Sequence, residues 1–341
     1  MYKLHEGDQM SSESSSASEI PVVQRQLSYS LSDKNKNIPA KSEETSDDMD
    51  FNHPGEPPLK SMFNKERIQK PWTLKTHLFF ILWFPFGLVL GTFKFLTVMF
   101  VGMPLMVIFN LFDKEWLFWQ TVGRFYNFWS YVRNPEMLAP ASEAPIITCN
   151  HVTDLDGIAY FPILLTKHAV EITTVFLKPL VDTAARCKWP LKVIIRETDP
   201  EKKHLTRERL LEFFNSEESK DRQLFVLAEG ATTNGKVGLL QFNRFVFSLD
   251  KPIQPLVVRV NPHMPINIDI PSKNMFPNWF WYMFCPFVTY EYTALPVQTR
   301  KPNETPEEFA RRIQQMTADE LGLACTTYSY KHKNRLKKVV R

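Results

Sequence analysis

The sequence predicts an α/β protein with a membrane-inserted segment on its N-terminal side. Five short β-branched runs alternate with helical or polar stretches, a single apolar run of 35 residues follows His77, and one well-signalled helix lies near the C-terminus. A chain of 341 residues with 44% hydrophobic and 23% charged residues has a globular composition, which excludes a wholly disordered or fibrous protein. The net charge of +4 conceals a division, because residues 1–70 carry 9 basic and 12 acidic side chains and the remainder carries 32 and 25. An acidic leader precedes a basic body.

Residues 1–68 are expected to be disordered. Serine-rich sequence, the acidic run from Glu43 to Asp50 and the prolines of HPGEPP bury too little apolar surface to offset chain entropy. The opening MYKLHEGDQM lacks the basic start and apolar stretch of a secretory signal. Cys149, Cys187, Cys285 and Cys325 show no CxxC pairing, so reduced thiols are expected, with neither a disulfide framework nor a zinc site.

Residues 75–113 form the membrane segment. The 35 apolar residues contain one charge, Lys94. As one straight helix they would extend roughly 52 Å, well beyond a hydrocarbon core of about 30 Å. Pro85 and Pro104 remove backbone donors, and Gly87 and Gly91 weaken the helix between them. A hairpin entering and leaving by one face fits these breaks, with one span plus an interfacial helix, or a buried soluble pair of helices, as the alternatives. Lysines and arginines flank both ends (Lys60, Lys65, Arg67, Lys70 and Lys75 before, Lys114, Arg124 and Arg133 after), which places both ends in the cytosol. Lys94 argues against a deep apex, at about 2.5–3.5 kcal/mol for a mid-membrane lysine, and is expected to snorkel.

The body is expected over residues 114–323. It opens with an aromatic helix, EWLFWQTVGRFYNFWSYV, followed by strands at APIITC, EITTVFL, KVII, QLFVL and IQPLVVRV. Helices are expected at 155–165, 181–188 and 200–214, and strands separated by helical crossovers imply an α/β sheet. In TPEEFARRIQQMTADELG, Thr305 is the N-cap, Pro306 occupies N1, Glu308 completes a capping box and Gly322 ends the helix. Phe309, Ile313 and Met316 share the face that packs on the sheet.

Directly after the first of these strands comes IITCNHVTDLDG. A histidine at a strand end beside two carboxylates suits general base chemistry, since imidazole titrates near neutrality and a carboxylate fixes its tautomer. On a continuous helix Asp154 would lie about 60° from His151 and Asp156 about 140° away, so only a turn after His151 brings Asp156 back. Alternatively, Asp154 caps a helix and His151 is a polar loop residue.

These residues resemble the lysophospholipid acyltransferases of the PlsC type, whose first motif N-H-x4-D is matched by Asn150, His151 and Asp156. KVIIR ends in Arg196 at the second motif, LAEGATTNG supplies Glu229 and Gly230 of the third, and IQPLVV supplies Pro255 and Leu256 of the fourth. Residues 75–323 further resemble the ancient ubiquitous protein family, lipid-droplet and endoplasmic-reticulum hairpin proteins, through NHVT, ATTNGKVGLLQF, CPFVTY and EEFARRIQQMTADELG. That resemblance implies a mixed sheet flanked by helices and localisation to reticulum and droplet. It also brings endoplasmic-reticulum quality-control proteins into consideration as partners. The family typically continues into a ubiquitin-binding CUE domain, whereas this chain ends eighteen residues after Leu323, so ubiquitin binding is not expected of it.

The activity implied is acyl transfer from acyl-CoA, as co-substrate, to a lysophospholipid or glycerophosphate. His151 takes the acceptor's hydroxyl proton and Asp156 orients the ring, without a metal or other cofactor. Backbone N–H groups of EGATTNG, the hydroxyls of Thr232 and Thr233, and Arg196 would receive the acceptor phosphate; otherwise EGATTNG is a tight turn after a buried strand. The third motif departs from the family at Ala228 and Thr232, where proline and arginine are usual, and Lys236 is the candidate replacement charge. The rival function is a catalytically silent scaffold of droplets and protein quality control.

Two further segments are candidates for lipid contact. Residues 275–290, MFPNWFWYMFCPFVTY, hold eight aromatics and no charge, and form either a membrane contact or a buried strand with its loop. In the tail, residues 324–341, KHKNRLKKVVR has six basic residues in eleven and is expected to meet anionic lipid. Nucleic acid is not an expected partner, because no reading module is present.

Overall fold

A computed structural model describes residues 53–70, 73–112, 114–160, 167–172, 192–195, 203–271 and 275–339. Its strands are β1 (Trp129–Val132), β2 (Ile146–Cys149), β3 (Lys167–Ile172), β4 (Lys192–Ile195), β5 (Arg222–Leu227), β6 (Gly238–Leu239), β7 (Ile253–Asn261), β8 (Thr289–Ala294) and β9 (Ala324–Cys325). The α-helices are α1 (Leu74–Thr97), α2 (Met103–Leu111), α3 (Glu115–Phe118), α4 (Asp156–Ala159), α5 (Lys203–Asn215), α6 (Phe276–Phe284), α7 (Pro306–Leu321) and α8 (Tyr330–Val339). Seven strands make one mixed sheet in the order β1-β8-β7-β2-β5-β3-β4, and β6 pairs with β9 apart from it. Strand β2 runs parallel to both neighbours, with Cys149 opposite Leu227 of β5 and Leu256 of β7. Only the β7–β8 pairing is antiparallel in this sheet.

All four residues of β2 are buried, as a strand covered on both faces requires. Alternation sends Ile147 into one cluster with Tyr160, Val258, Tyr282, Phe284 and Tyr290, and Ile146 into the other with Leu210, Phe213, Leu224, Phe309 and Ile313. Helices α5 and α7 therefore cover one face and α6 covers the other. Helix α7 is capped as its sequence predicts: Glu308 N–H donates to Thr305 Oγ1 (3.2 Å), Thr305 N–H donates to Glu308 Oε2 (2.7 Å), and Gly322 closes it at φ 68°.

Several expectations need correction. The aromatic run 115–132 is not one helix, because Asn127 turns the chain at φ 73° and Trp129–Val132 joins the sheet as β1. The Asn127 amide donates to the carbonyls of Tyr282 (2.8 Å) and Cys285 (2.9 Å), which holds that turn closed. Residues 276–284 form helix α6 with Pro277 in its first turn, where the missing N–H costs nothing; the strand begins only at Thr289. The helix expected at 181–188 lies outside the described residues.

Residues 53–68, expected within a disordered leader, pack onto the body. Leu59, Met62 and Phe63 form a cluster with Leu240, Tyr328 and Leu336, and Arg67 donates to the carbonyls of Asn267 (2.7 Å) and Ile268 (3.1 Å). Composition averaged over the whole leader concealed these local apolar residues. The tail is folded as well over residues 324–339: β9 joins β6, and α8 buries Lys333 and Leu336.

The apolar segment is helical from Leu74 to Leu111, with its turns widened at Val98–Gly102 rather than broken at Pro85. Helix α1 is long and apolar enough to cross a membrane by length and composition. Its buried residues are Gly87, Gly91 and Lys94, one stripe that faces α6. A Cβ on Gly91 would lie 2.9 Å from Phe284 Cα, so only glycine permits this approach. Lys94 does not snorkel outward; it is 3% exposed and donates to Asn127 Oδ1 at 2.7 Å. The outer face presents Leu78, Ile81, Leu82, Phe86, Val89 and Phe93.

Candidate active site

The site is built where β2 and β5 end side by side. Because Cys149 and Leu227 are in register, the chain two residues further on brings His151 beside Glu229. The backbone then turns over residues 151–155, and α4 begins at Asp156. This is the turn that the five-residue spacing demands. Asp156 Oδ2 accepts from His151 Nδ1 (3.1 Å), Val152 N–H (2.5 Å) and Thr153 N–H (3.0 Å), while Oδ1 accepts from the Thr153 hydroxyl (2.6 Å). Its carboxylate is 1% exposed and the His151 side chain 16%, so the ring is the member of the pair that solvent and ligand reach. An acceptor at Nδ1 keeps the ring proton there and leaves the Nε2 lone pair to act as base.

Glu229 lies beneath the histidine, with both carboxyl oxygens engaged by backbone N–H groups. Its Oε1 accepts His151 N–H (2.7 Å) and its Oε2 accepts Leu240 N–H (2.8 Å). Full burial pushes its carboxyl up to about 7, a rise restrained by those two N–H donors and by the charges of His151 and Lys333. Gly230, at φ 68°, turns the loop so that Thr233 N–H reaches His151 C=O at 2.8 Å. His151 is thereby held at both of its main-chain groups. Gly235 is a second position where glycine is required, at φ 62° with its hydrogen facing Val152.

Asn150 is buried, and both ends of its amide are engaged by β7: Nδ2 donates to Val258 C=O (3.0 Å) and Oδ1 accepts Val258 N–H (2.8 Å). It clamps β2 to the neighbouring strand. Thr232 and Thr233 are also buried, and the Thr232 hydroxyl and carbonyl both accept from Lys333 Nζ. Lys236, the candidate replacement charge, is exposed and reaches Asn267 Oδ1 at 3.4 Å. Arg196 lies outside the described residues. Asp154 caps no helix; it accepts from Asn278 Nδ2 (3.2 Å), which also donates to Asp269 Oδ1 (2.8 Å). Burial pushes Asp269 up to about 6. Asp269, Asn278 and Lys333 carry no local sequence signal, because segments more than a hundred residues from His151 deliver them.

A buried carboxylate orienting a histidine at the ends of parallel strands, on a mixed sheet with an apolar helix docked against it, is an arrangement suited to general base chemistry beside an apolar surface. No family model matches the sequence. The lipid droplet-regulating VLDL assembly factor AUP1 of Xenopus laevis is 28% identical over 279 residues, 80% of this chain and 64% of that protein. The chain is thus similar to AUP1 over most of its length. The lysophospholipid acyltransferase LPEAT2 of Arabidopsis thaliana is 27% identical over 210 residues, 59% of this chain and 36% of that protein. The chain thus spans less than two thirds of either relative. Among solved structures, the 1-acyl-sn-glycerophosphate acyltransferase PlsC of Thermotoga maritima superposes with a TM-score of 0.46 at 15% identity, covering 69% of this chain and 96% of that one.

Proposed function

We propose that this chain transfers an acyl group from acyl-CoA to the hydroxyl of a lysophospholipid or glycerophosphate at the surface of the endoplasmic reticulum or a lipid droplet. The observation that carries this reading is the His151–Asp156 pair, whose bond at Nδ1 leaves Nε2 as the base. The acceptor's O–H proton passes to Nε2 as its oxygen attacks the thioester carbonyl; the tetrahedral intermediate collapses, and the departing thiolate of CoA takes the proton back from the imidazolium. Asp156 offsets the ring's transient positive charge. Helix α6 begins beside the pair, through Asn278 and Asp154, and presents Met275 and Phe276 to the outside next to the apolar face of α1. This supports entry of lipid to the histidine from the side of α1 and α6, in a domain that on this reading lies, with both termini, on the cytosolic side.

A second reading, a catalytically silent droplet scaffold with protein quality-control partners, draws on a different observation. Within the Glu229–Gly235 loop the N–H groups of Gly230, Thr233, Asn234 and Gly235 donate to groups of the protein itself, and Tyr330 covers Gly230, 3.9 Å from where its Cβ would be. Purified protein with radiolabelled acyl-CoA and a panel of lysolipids separates the two. Acyl transfer that falls about 10²–10⁴-fold in His151→Ala and Asp156→Asn supports the enzyme. Equal transfer by all three proteins refutes the assigned site. A wild type inactive on every acceptor leaves the scaffold.

A further inference from the structure

Lys333 is a lysine buried to 3% exposure on a helix whose neighbouring Lys331 and Arg335 are exposed. Removing an ammonium from water costs several kcal/mol unless its partners compensate. Among its partners is Thr232: Nζ donates to both the carbonyl and the hydroxyl of that residue at 2.5 Å and lies 5.1 Å from the centre of the Phe63 ring. Thr232 sits in the loop between Glu229, which receives the His151 N–H, and Thr233, which donates to the His151 C=O. The other side of this loop is also fastened, with Asn234 donating to the carbonyls of Met62 (2.7 Å) and Ser61 (2.8 Å). The loop that fixes the histidine is therefore gripped from outside the sheet by both flanking segments of the chain.

We propose that Lys333 is a positioning residue for the His151–Asp156 pair, acting from helix α8 through Thr232 and the Glu229–Thr233 loop without touching substrate. Two carboxylates, Glu229 and Asp269, lie in its electrostatic reach, and there the ammonium acts alongside His151 as a counter-charge to both. Helix α8 is on this view part of the active-site framework, with Lys333 turned inward between the exposed Lys331 and Arg335.

The role in catalysis rests on the proposed acyl transfer, whereas the mechanical coupling does not, and the test reads the two separately. Hydrogen exchange of full-length protein in detergent, followed on peptides covering 149–153, 228–234 and 253–261, compares wild type with Lys333→Met, Lys333→Arg and Lys331→Met. In Lys333→Met the first two peptides exchange about tenfold faster while the β7 peptide is unchanged; Lys333→Arg restores protection and Lys331→Met leaves it alone. In the acyl-transfer assay kcat falls with KM for both substrates unchanged, because the residue makes no contact with either. Wild-type protection at 149–153 in folded Lys333→Met overturns the proposal, as does an equal loss of protection at β7. A KM that rises while kcat holds also overturns it, by making Lys333 a substrate contact. If Lys333→Met does not fold, Thr232→Val, which removes one of the two acceptors, is read by the same peptides with the same outcomes. A wild type without transferase activity refutes the acyl-transfer reading alone, and the exchange pattern still decides this one.

Discussion

Replacing Glu229 with glutamine should change how stability depends on pH. In the folded protein the carboxyl is raised from 4.5 to about 7 by complete burial, so between those pH values the folded state holds a proton that the unfolded state has released. Stability from this group is present in full below the unfolded value and is lost as pH rises through about 7. A displacement of that size corresponds to roughly 3 kcal/mol. Glutamine does not titrate, so this slope disappears. Its amide nitrogen also opposes one of the two N–H donors, His151 or Leu240, that the carboxylate accepts, at a cost of about 1–3 kcal/mol. Below pH 5 the variant should thus be the less stable protein, and by pH 8 the gap should close or reverse. Asp269, also raised by burial, is present in both proteins and cancels in the difference. Denaturant unfolding in mild detergent, followed by tryptophan fluorescence at half-unit steps from pH 5 to 8, measures the gap. Parallel curves for the two proteins would refute a buried, proton-holding Glu229.

Three further outcomes follow from the packing. Gly91→Ala places a methyl 2.9 Å from Phe284 Cα and should cost about 1–3 kcal/mol in thermal unfolding, whereas Gly157→Ala, with nothing within 4 Å, should be neutral or gain a few tenths. Thr305→Ala removes the N-cap of α7 and should lower stability by about 1 kcal/mol, visible as a shift in the denaturation midpoint at unchanged slope. Phe276→Ser removes a ring that is 52% exposed and should weaken flotation with liposomes by about 5–30-fold.

Much of the sheet could be read from β-branched runs, because strands buried on both faces have little choice of composition; Ile146 and Ile147 fill opposite cores. Spacing left both Asp154 and Asp156 open as partners of His151; the N-H-x4-D resemblance singled out Asp156, and the turn that brings it back is what forms. Strand β1 was hidden because its tryptophan and tyrosine continue an aromatic run, and the break depends on an asparagine whose left-handed conformation is fixed by carbonyls about 155 residues away. Helix α6 was hidden by residues with high strand propensity, overridden by Pro277 and by packing against the glycine stripe of α1. Lys333 was the least legible. In the sequence it is one of six basic residues in a short tail, and only the approach of α8 to Thr232 distinguishes it.

The lysine in the apolar helix also has a consequence for the order in which this chain matures. Lys94 is covered by Asn127, but Asn127 is itself fixed by the carbonyls of Tyr282 and Cys285, 155 and 158 residues later in the sequence. At about 5–20 residues per second of synthesis, the ammonium and the glycine stripe stay without their final cover for roughly 8–30 s after Asn127 emerges. Throughout that interval the helix is an apolar rod with a charged notch, and it becomes the wall of a domain only when α6 arrives.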